Sequence, residues 1–410
     1  MRRIVTIKRL GYRGDGVAEG PLFAARCLPG EVVEGEVSGD RLEEIRILTP
    51  SDDRVSPPCR HYRGCGGCAL QHASDGFVAD WKQEVVRNAL AARGLSAPFR
   101  PMQISPPRSR RRAAFSGRRT KAGVLVGFHG RASDLVVDVP ECLLLHPDLM
   151  RARAALAALV RAGASRKGEM SLTVTVAPEG PDVAVRGGKR LDAALRAGLA
   201  GLVARHGFSR LTWEGETVAL NAPPTVRFDG IAVVPPPGAF LQATAEGESA
   251  LLGAVAEAVA GAGRIVDLFA GCGTFALPLA RRAEVHAVDS LAESVAALGA
   301  GWRRAGGLRR VTTQSRDLFR QPLTADELNR FDAAVIDPPR AGAEAQVRQI
   351  ARSDLRRIAM VSCDPASFAR DAALLVSAGF ALGRVQVVDQ FRWSTHVELA
   401  ACLTRERAGK

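Results

Sequence analysis

The residues with the widest chemical reach are cysteines and carboxylates that recur at one kind of place. Cys363 stands in Ser362-Cys363-Asp364-Pro365, where the apolar run Ile358-Ala359-Met360-Val361 gives way to a proline that can open a helix. A helix N-terminus there would stabilise a thiolate, which makes Cys363 a candidate nucleophile. Asp267, Asp289 and Asp337 each lie at or near the end of another apolar run, and Glu398 follows Thr395-His396-Val397 on a later one. Cys59, Cys65 and Cys68 crowd into ten residues, and Cys142, in Val139-Pro140-Glu141-Cys142, is the best fourth partner. Four thiolates suit either an iron-sulfur cluster or zinc. Paired CxxC knuckles would point to zinc, and a CxxxCxxC run to a radical enzyme with an open iron; neither is present.

The run ending near Asp267 enters Phe269-Ala270-Gly271-Cys272-Gly273-Thr274-Phe275, where glycines let backbone approach a ligand. Taken alone, Gly271-x-Gly273-x-x-Ala276 would pass for a dinucleotide fingerprint. Asp289 suits a ribose diol in either case, but Asp267 and Asp337 suit a cationic ligand such as S-adenosylmethionine better than a pyrophosphate. An aromatic after Asp337-Pro338-Pro339 would suggest methylation of an exocyclic amine; Arg340 follows instead. Carbon 5 of uracil is a poor nucleophile, so methylating it needs a thiolate to add at carbon 6 and a base to remove the carbon 5 proton. Cys363 and Glu398 suit those two roles, whereas His396 reads as structural.

These residues need elements to hold them. After Pro235-Pro236-Pro237-Gly238 strands alternate with helices, through Arg264–Phe269, Glu284–Asp289, Phe331–Asp337 and Ile358–Ser362, with two closing strands near 383–402. Such βαβ alternation predicts an α/β, mainly parallel doubly wound sheet with its ligands at the carboxyl ends of the strands. Residues 1–50 read as short strands broken by glycines, predicting a small β-barrel; Pro57-Pro58 marks its boundary. A helix over 74–93 is predicted through Phe77, Trp81, Val85 and Leu90, ending at Gly94. Residues 102–230 read mostly as β, with helices near 147–162 and 190–206.

At 410 residues the chain holds between two and three domains' worth of polypeptide, and 47% hydrophobic against 24% charged residues excludes a disordered or fibrous protein. No apolar run is long enough to span a bilayer and Met1-Arg2-Arg3 leads into no signal core, so a cytoplasmic protein without membrane attachment is expected. The net charge of +13 favours nucleic acid as partner. Only six of the 56 basic residues are Lys, a bias that weakens that argument. The basic residues concentrate between Arg108 and Lys121, seven in fourteen. Arg110, Arg111, Arg112, Arg118, Arg119 and Lys121 are the candidates for RNA contact, through phosphates and unpaired bases.

In their order along the chain, the cysteine motif, Phe240-Leu241-Gln242, the glycine loop, Asp337-Pro338-Pro339-Arg340, Ser362-Cys363 and His396-Val397-Glu398 resemble the bacterial RNA (uracil-5)-methyltransferases. The resemblance is to the branch with an N-terminal TRAM domain and a [4Fe-4S] cluster that acts on 23S ribosomal RNA. It implies a Rossmann-like class I methyltransferase fold behind a TRAM-like barrel (1–52), a central iron-sulfur and RNA-binding domain (53–73 and 107–236) and a methyltransferase domain (74–106 and 237–410). It implies donor contacts from Gln242, Phe269, Asp289, Asp317 and Asp337, a nucleophilic Cys363, a basic Glu398 and a closed, structural cluster on Cys59, Cys65, Cys68 and Cys142. Thr244 and Asp364 depart from the Asn often found at their positions in the family. The expected reaction is S-adenosylmethionine-dependent methylation of carbon 5 of a uridine, in 23S ribosomal RNA or alternatively the T-loop of transfer RNA. A non-catalytic, redox-sensing RNA-binding protein is the competing class.

Overall fold

The computed structural model describes residues 1–406. The first sheet takes β1 (Arg2–Thr6), β2 (Arg9–Leu10), β3 (Gly16–Ala18), β4 (Leu22–Ala24), β5 (Val32–Ser38) and β6 (Arg41–Thr49), ordered β1-β5-β6-β4-β3-β2. Its small core gathers Ile7, Leu22, Ala24, Val33 and Leu42. The cysteine loop follows, then α1 (Asp75–Ala91) and β7 (Gln103–Ile104).

A seven-stranded sheet comes next, from β8 (Arg112–Thr120), β9 (Gly123–His129), β10 (Val136–Asp138), β11 (Glu169–Thr175), β12 (Asp182–Arg186), β13 (Arg210–Trp213) and β14 (Glu216–Leu220). Helices α2 (Pro147–Arg151), α3 (Arg153–Gly163) and α4 (Ala193–His206) accompany it, α3 and α4 burying Leu156, Leu159, Leu199 and Val203 with Leu172, Val185 and Trp213 of the sheet. The hairpin β15 (Val226–Phe228) and β16 (Ile231–Val233) leads on to α5 (Ala245–Ala258).

The remaining elements are β17 (Arg264–Leu268), α6 (Ala276–Leu279), β18 (Glu284–Asp289), α7 (Ala292–Arg304), β19 (Val311–Ser315), α8 (Ala325–Leu328), β20 (Ala333–Ile336), α9 (Glu344–Arg352), β21 (Arg357–Ser362), α10 (Pro365–Ser377), β22 (Ala381–Asp389) and β23 (Glu398–Thr404). They build an eight-stranded sheet ordered β19-β18-β17-β20-β21-β23-β22-β7. Strands β17 to β21 run parallel, β23 antiparallel to both its neighbours, and β7 parallel to β22 at the edge.

Alternation along each strand feeds two cores. Ile265, Val335 and Val361 face α5 to α7, while Val266, Ile336 and Met360 face α1, α9 and α10. A sheet covered on both faces is why these strands read as unbroken apolar runs. Among the described residues no helix is long and apolar enough to cross a membrane.

The N-cap Ser74 accepts from Phe77 N and starts α1. Its buried face is Val78, Trp81, Lys82, Val86 and Leu90, with Phe77 and Val85 only half-buried. This rotates the face away from the predicted stripe and places a lysine inside it.

Candidate active site and cysteine cavity

The carboxyl ends of β17, β18, β20 and β21 point to one region, as the topology of a doubly wound sheet requires. Phe269, directly after β17, adopts φ 66°, and Gly271 and Gly273 follow with φ 53° and 98°. A phenylalanine in this region is strained by roughly 1–3 kcal/mol, and such strain is tolerated where the backbone must make room for something. The turn brings Gly271 N to Asp289 Oδ2 at 2.9 Å, and Asp289 Oδ1 accepts from Leu291 N at the same distance. Asp289 thus braces the glycine loop from the next strand. Asp317 holds a similar turn, Oδ1 accepting from Phe319 N at 2.9 Å, and Phe319 packs against Phe269 with ring centroids 5.4 Å apart. Leu291 and Phe319 leave large apolar surfaces exposed beside these carboxylates, a feature the sequence did not single out.

Asp267 is wholly buried, and neither of its oxygens has a well-formed hydrogen bond, although the Ala276 N–H lies close enough to favour the charged form somewhat. Burial, then the neighbouring Asp337, pushes its carboxyl well above the usual range. Burial pushes Asp337 up to about 7. Two carboxyls held against their charged forms make a site that a cation would relieve. Gln242, buried before α5, reaches Asp337 Oδ2 through Nε2 at 3.5 Å.

Strands β21 and β23 pair Ser362 with Leu399, and continuing that register by one residue sets Cys363 opposite Glu398. Burial, followed by the charge of Asp337, raises Glu398 to about 8, with Arg340 opposing. Cys363 is half-buried; burial, then Glu398 and Asp337, raises its thiol to about 11. The helix N-terminus expected to stabilise a thiolate is thus opposed in the free protein by burial and by neighbouring carboxyls. The side chain of Asp364 caps α10, Oδ1 accepting from Ala366 N at 3.0 Å and Ser367 N at 2.9 Å, so a carboxylate occupies the helix end while two more crowd the sulfur. The cation beside Cys363 is Arg340, whose Nη2 donates to His396 Nδ1 at 2.7 Å. Burial and then Arg340 lower the His396 pKa, which suits a neutral ring accepting that bond.

Cys59, Cys65, Cys68 and Cys142 line one cavity of about 640 Å³, which runs on to Arg340, Thr395 and His396. Burial raises the thiols of Cys65, Cys68 and Cys142, that of Cys68 to about 12, and negative charge on the neighbouring cysteines adds to it. Cys59 N donates to Gln71 Oε1 at 3.2 Å, fixing one arm of the loop. Ala69 N and Leu70 N both donate to Trp393 O, at 2.7 and 2.9 Å, tying the cysteine loop to the segment that leads into Glu398. Among the described residues no group of three or more His, Cys, Asp or Glu side chains converges so as to hold a single metal ion.

The basic run divides in two. Arg110 lies over the Phe391 ring at 5.3 Å and donates to Arg112 O. Arg111 donates to Gln242 O at 3.1 Å and pairs with Glu248, and Arg112 donates to Gly238 O at 3.1 Å. Arg111 and Arg112 join the central sheet to the segment around Gln242, and Arg110 joins it to Phe391. Arg118 pairs with Glu169 at 2.6 Å, while Arg119 and Lys121 flank the β8–β9 turn.

The chain matches a family model described as tRNA (uracil-5-)-methyltransferase over residues 305–406. An uncharacterized RNA methyltransferase of Rhizobium meliloti is 43% identical over 410 residues, covering 98% of this chain and 99% of that one. A 23S rRNA (uracil(1939)-C(5))-methyltransferase of Chromohalobacter salexigens is 34% identical, over 98% of this chain and 89% of its own. The solved structure of a Pyrococcus abyssi tRNA (uracil-54, C5)-methyltransferase in complex with S-adenosyl-L-homocysteine shares the fold, with a TM-score of 0.78 over 98% of this chain and 99% of that one at 22% identity.

Proposed function

As a member of the RNA (uracil-5)-methyltransferase family, the chain is an S-adenosylmethionine-dependent enzyme, and we propose that it methylates carbon 5 of a uridine in 23S ribosomal RNA through a covalent Cys363 adduct. The observation that carries the mechanism is the convergence of Asp337, Cys363 and Glu398 from three contiguous strands, β20, β21 and β23. The Cys363 thiol gives up its proton to solvent, the thiolate adds to carbon 6, and the electrons of the carbon 5–carbon 6 double bond move onto the neighbouring carbonyl oxygen as an enolate. Carbon 5 then attacks the donor methyl; the new C–C bond forms as the methyl–sulfur bond breaks, and the sulfonium becomes a neutral thioether. Glu398 removes the carbon 5 proton, the double bond re-forms and the thiolate departs. A base with a pKa near 8 is well matched to a proton that must leave near neutral pH.

The donor lies across the end of β17 in this reading. Asp289 on β18 takes the ribose, with Phe269, Asp317 and Phe319 on the adenosine side. Gln242 and Asp337, towards β20, take the amino-acid and sulfonium end, next to Cys363. Burial that raises Asp267 and Asp337 supports a cationic ligand there.

We read Cys59, Cys65, Cys68 and Cys142 as the ligands of a [4Fe-4S] cluster, a reading supported by four thiols lining one cavity with Arg110 and Arg131 on its wall. Such a cluster would cross-link the cysteine loop to the segment before α2. The first sheet is read as the TRAM-like module. Exposed Phe240 beside Gln242 offers a flat face for an unpaired base, and Arg119 and Lys121 offer charge for phosphates. Transfer RNA is the alternative substrate, supported by the matching family model. A cytoplasmic location follows from either RNA. The test is methyl transfer from labelled S-adenosylmethionine to 23S ribosomal RNA and to transfer RNA transcripts; label in transfer RNA alone would overturn the ribosomal assignment.

A further inference from the structure

The side-chain amide of a glutamine looks the same either way round, so its neighbours decide which end faces a ligand. For Gln242 that decision starts at a backbone N–H, whose sense is unambiguous. Thr244 is the N-cap of α5, its hydroxyl accepting from Gly247 N at 3.0 Å, and its own N–H donates to Gln390 Oε1 at 3.3 Å. The oxygen of Gln390 is thereby assigned to Thr244, and its Nε2 is left to donate to Gln242 Oε1 at 2.6 Å. With that oxygen accepting, Gln242 must turn its Nε2 towards Asp337, where it lies 3.5 Å from Oδ2. Gln242, Gln390 and Thr244 are all buried, so water cannot take over either role.

The space for this arrangement is specific. A Cβ on residue 247 would sit 2.2 Å from Gln390 Cγ, so only glycine admits the side chain in this pose. Behind Gln390, Lys82 is wholly buried, with Nζ 2.7 Å from Asp389 Oδ1 and 3.2 Å from Phe391 O. The same Asp389 oxygen accepts from Phe391 N at 2.8 Å, and Ser105 N donates to Asp389 O at 2.9 Å. A buried ion pair gains little net stability after desolvation, but it fixes the backbone on both sides of Gln390.

We infer that Gln390 is a positioning residue for the methyl-donor site: held by the Lys82–Asp389 pair, it orients the Gln242 amide so that its N–H groups face Asp337 and the carboxylate of the donor. This rests on the reading that Gln242 and Asp337 receive the amino-acid end of S-adenosylmethionine. Gln390→Glu inverts the instruction. Thr244 N–H satisfies one carboxylate oxygen, and the other now demands a donor, which turns the Gln242 nitrogen away from the ligand.

The test compares S-adenosylhomocysteine, which carries the amino-acid end, with 5′-methylthioadenosine, which lacks it, by calorimetry. In Gln390→Glu the first should bind roughly tenfold more weakly, the loss of about one hydrogen bond to a charged group, while the second and the RNA bind as before. Where Gln390→Glu does not fold, Gln390→Met, uncharged and similar in volume, carries the same comparison. Lys82→Met combined with Asp389→Leu should show the same selective loss; retained affinity there would remove the ion pair from the device. Unchanged S-adenosylhomocysteine affinity in the folded Gln390 variants, or an equal fall for both ligands, overturns the inference. Wild-type protein that binds S-adenosylhomocysteine no better than 5′-methylthioadenosine would instead sink the underlying donor-site reading.

Discussion

Glu398 acts on Cys363 from the facing strand: after burial, the Glu398 carboxylate is the strongest influence raising the thiol, and it carries a raised pKa of about 8 itself. The influence runs one way, since burial and then Asp337, not Cys363, raise Glu398.

Cys363→Ala should abolish methylation while donor and RNA still bind, because only the covalent step is removed. RNA bearing 5-fluorouracil should form a stable adduct on Cys363 of the native enzyme, since fluorine cannot leave as a proton. Peptide mass spectrometry locating the adduct on another cysteine would refute the assignment.

Glu398→Gln should accumulate methylated adduct, seen as a band that shifts with RNA on a denaturing gel. In the native enzyme the rate of adduct breakdown should rise with pH through about 8, where Glu398 gains its negative charge. The variant should lose that limb; turnover at the native rate would show that another group is the base.

Stability should follow the same carboxyls. Asp337 and Glu398 are raised to about 7 and 8 and Asp267 is raised well above its usual range, so above pH 6.5 the folded state holds protons that the unfolded chain has already released. Their contribution is complete at low pH and is lost as pH rises through those values. His72, lowered to about 4 by burial, works in the opposite direction only below its unfolded value near 6.5. The melting temperature of the free protein should therefore fall from pH 6.5 to 8.5, and Asp337→Asn should flatten the fall. Lys82, lowered by burial, works in the opposite direction towards alkaline pH, so the comparison decides: an equally steep fall in Asp337→Asn would contradict the role of that carboxyl.

Anaerobically purified protein should be brown and hold about four irons per chain on Cys59, Cys65, Cys68 and Cys142. Stoichiometric zinc without iron would refute the cluster. Cys142→Ala should weaken RNA binding and thermal stability more than affinity for the donor, measured side by side.

Replacing Arg119 and Lys121 with Ala should lower the salt dependence of RNA binding by about 0.7 in log-log slope for each phosphate that is no longer neutralised. Arg111→Gln should leave that slope unchanged, because Arg111 is committed to Gln242 O and Glu248. Equal flattening in both variants would mean that Arg111 also reaches RNA.

The difference between those arginines marks where the sequence stopped being informative. Strand ends in an alternating βα chain pointed to Cys363, Asp289 and Asp337, whereas Glu398 opens the closing strand β23 and was read from its place after Thr395-His396-Val397. Arg110, Arg111 and Arg112 read as a charged surface because their partners, Phe391, Glu248 and Gly238, are more than 120 positions away. Lys82 went unseen for a related reason: a lysine on a helix reads as solvated unless its buried counter-ion, here Asp389, is known. Gln390 has no chemical signature at all until Thr244 and Gln242 are brought against it.

The edge strand β7 extends this lesson from space to time. Gln103 and Ile104 find their partners only in Val388 and Asp389, at the far end of the chain. A growing polypeptide emerging from the ribosome can pack Val78 and Trp81 of α1 against Leu10, Leu28 and Leu70 at once, but the β7 edge stays unpaired until nearly the last strand is made. Contacts that close so large a loop form late. Premature termination before β22 would thus leave a nascent product with its β7 edge unpaired, a substrate for chaperones and proteases rather than a partly active enzyme.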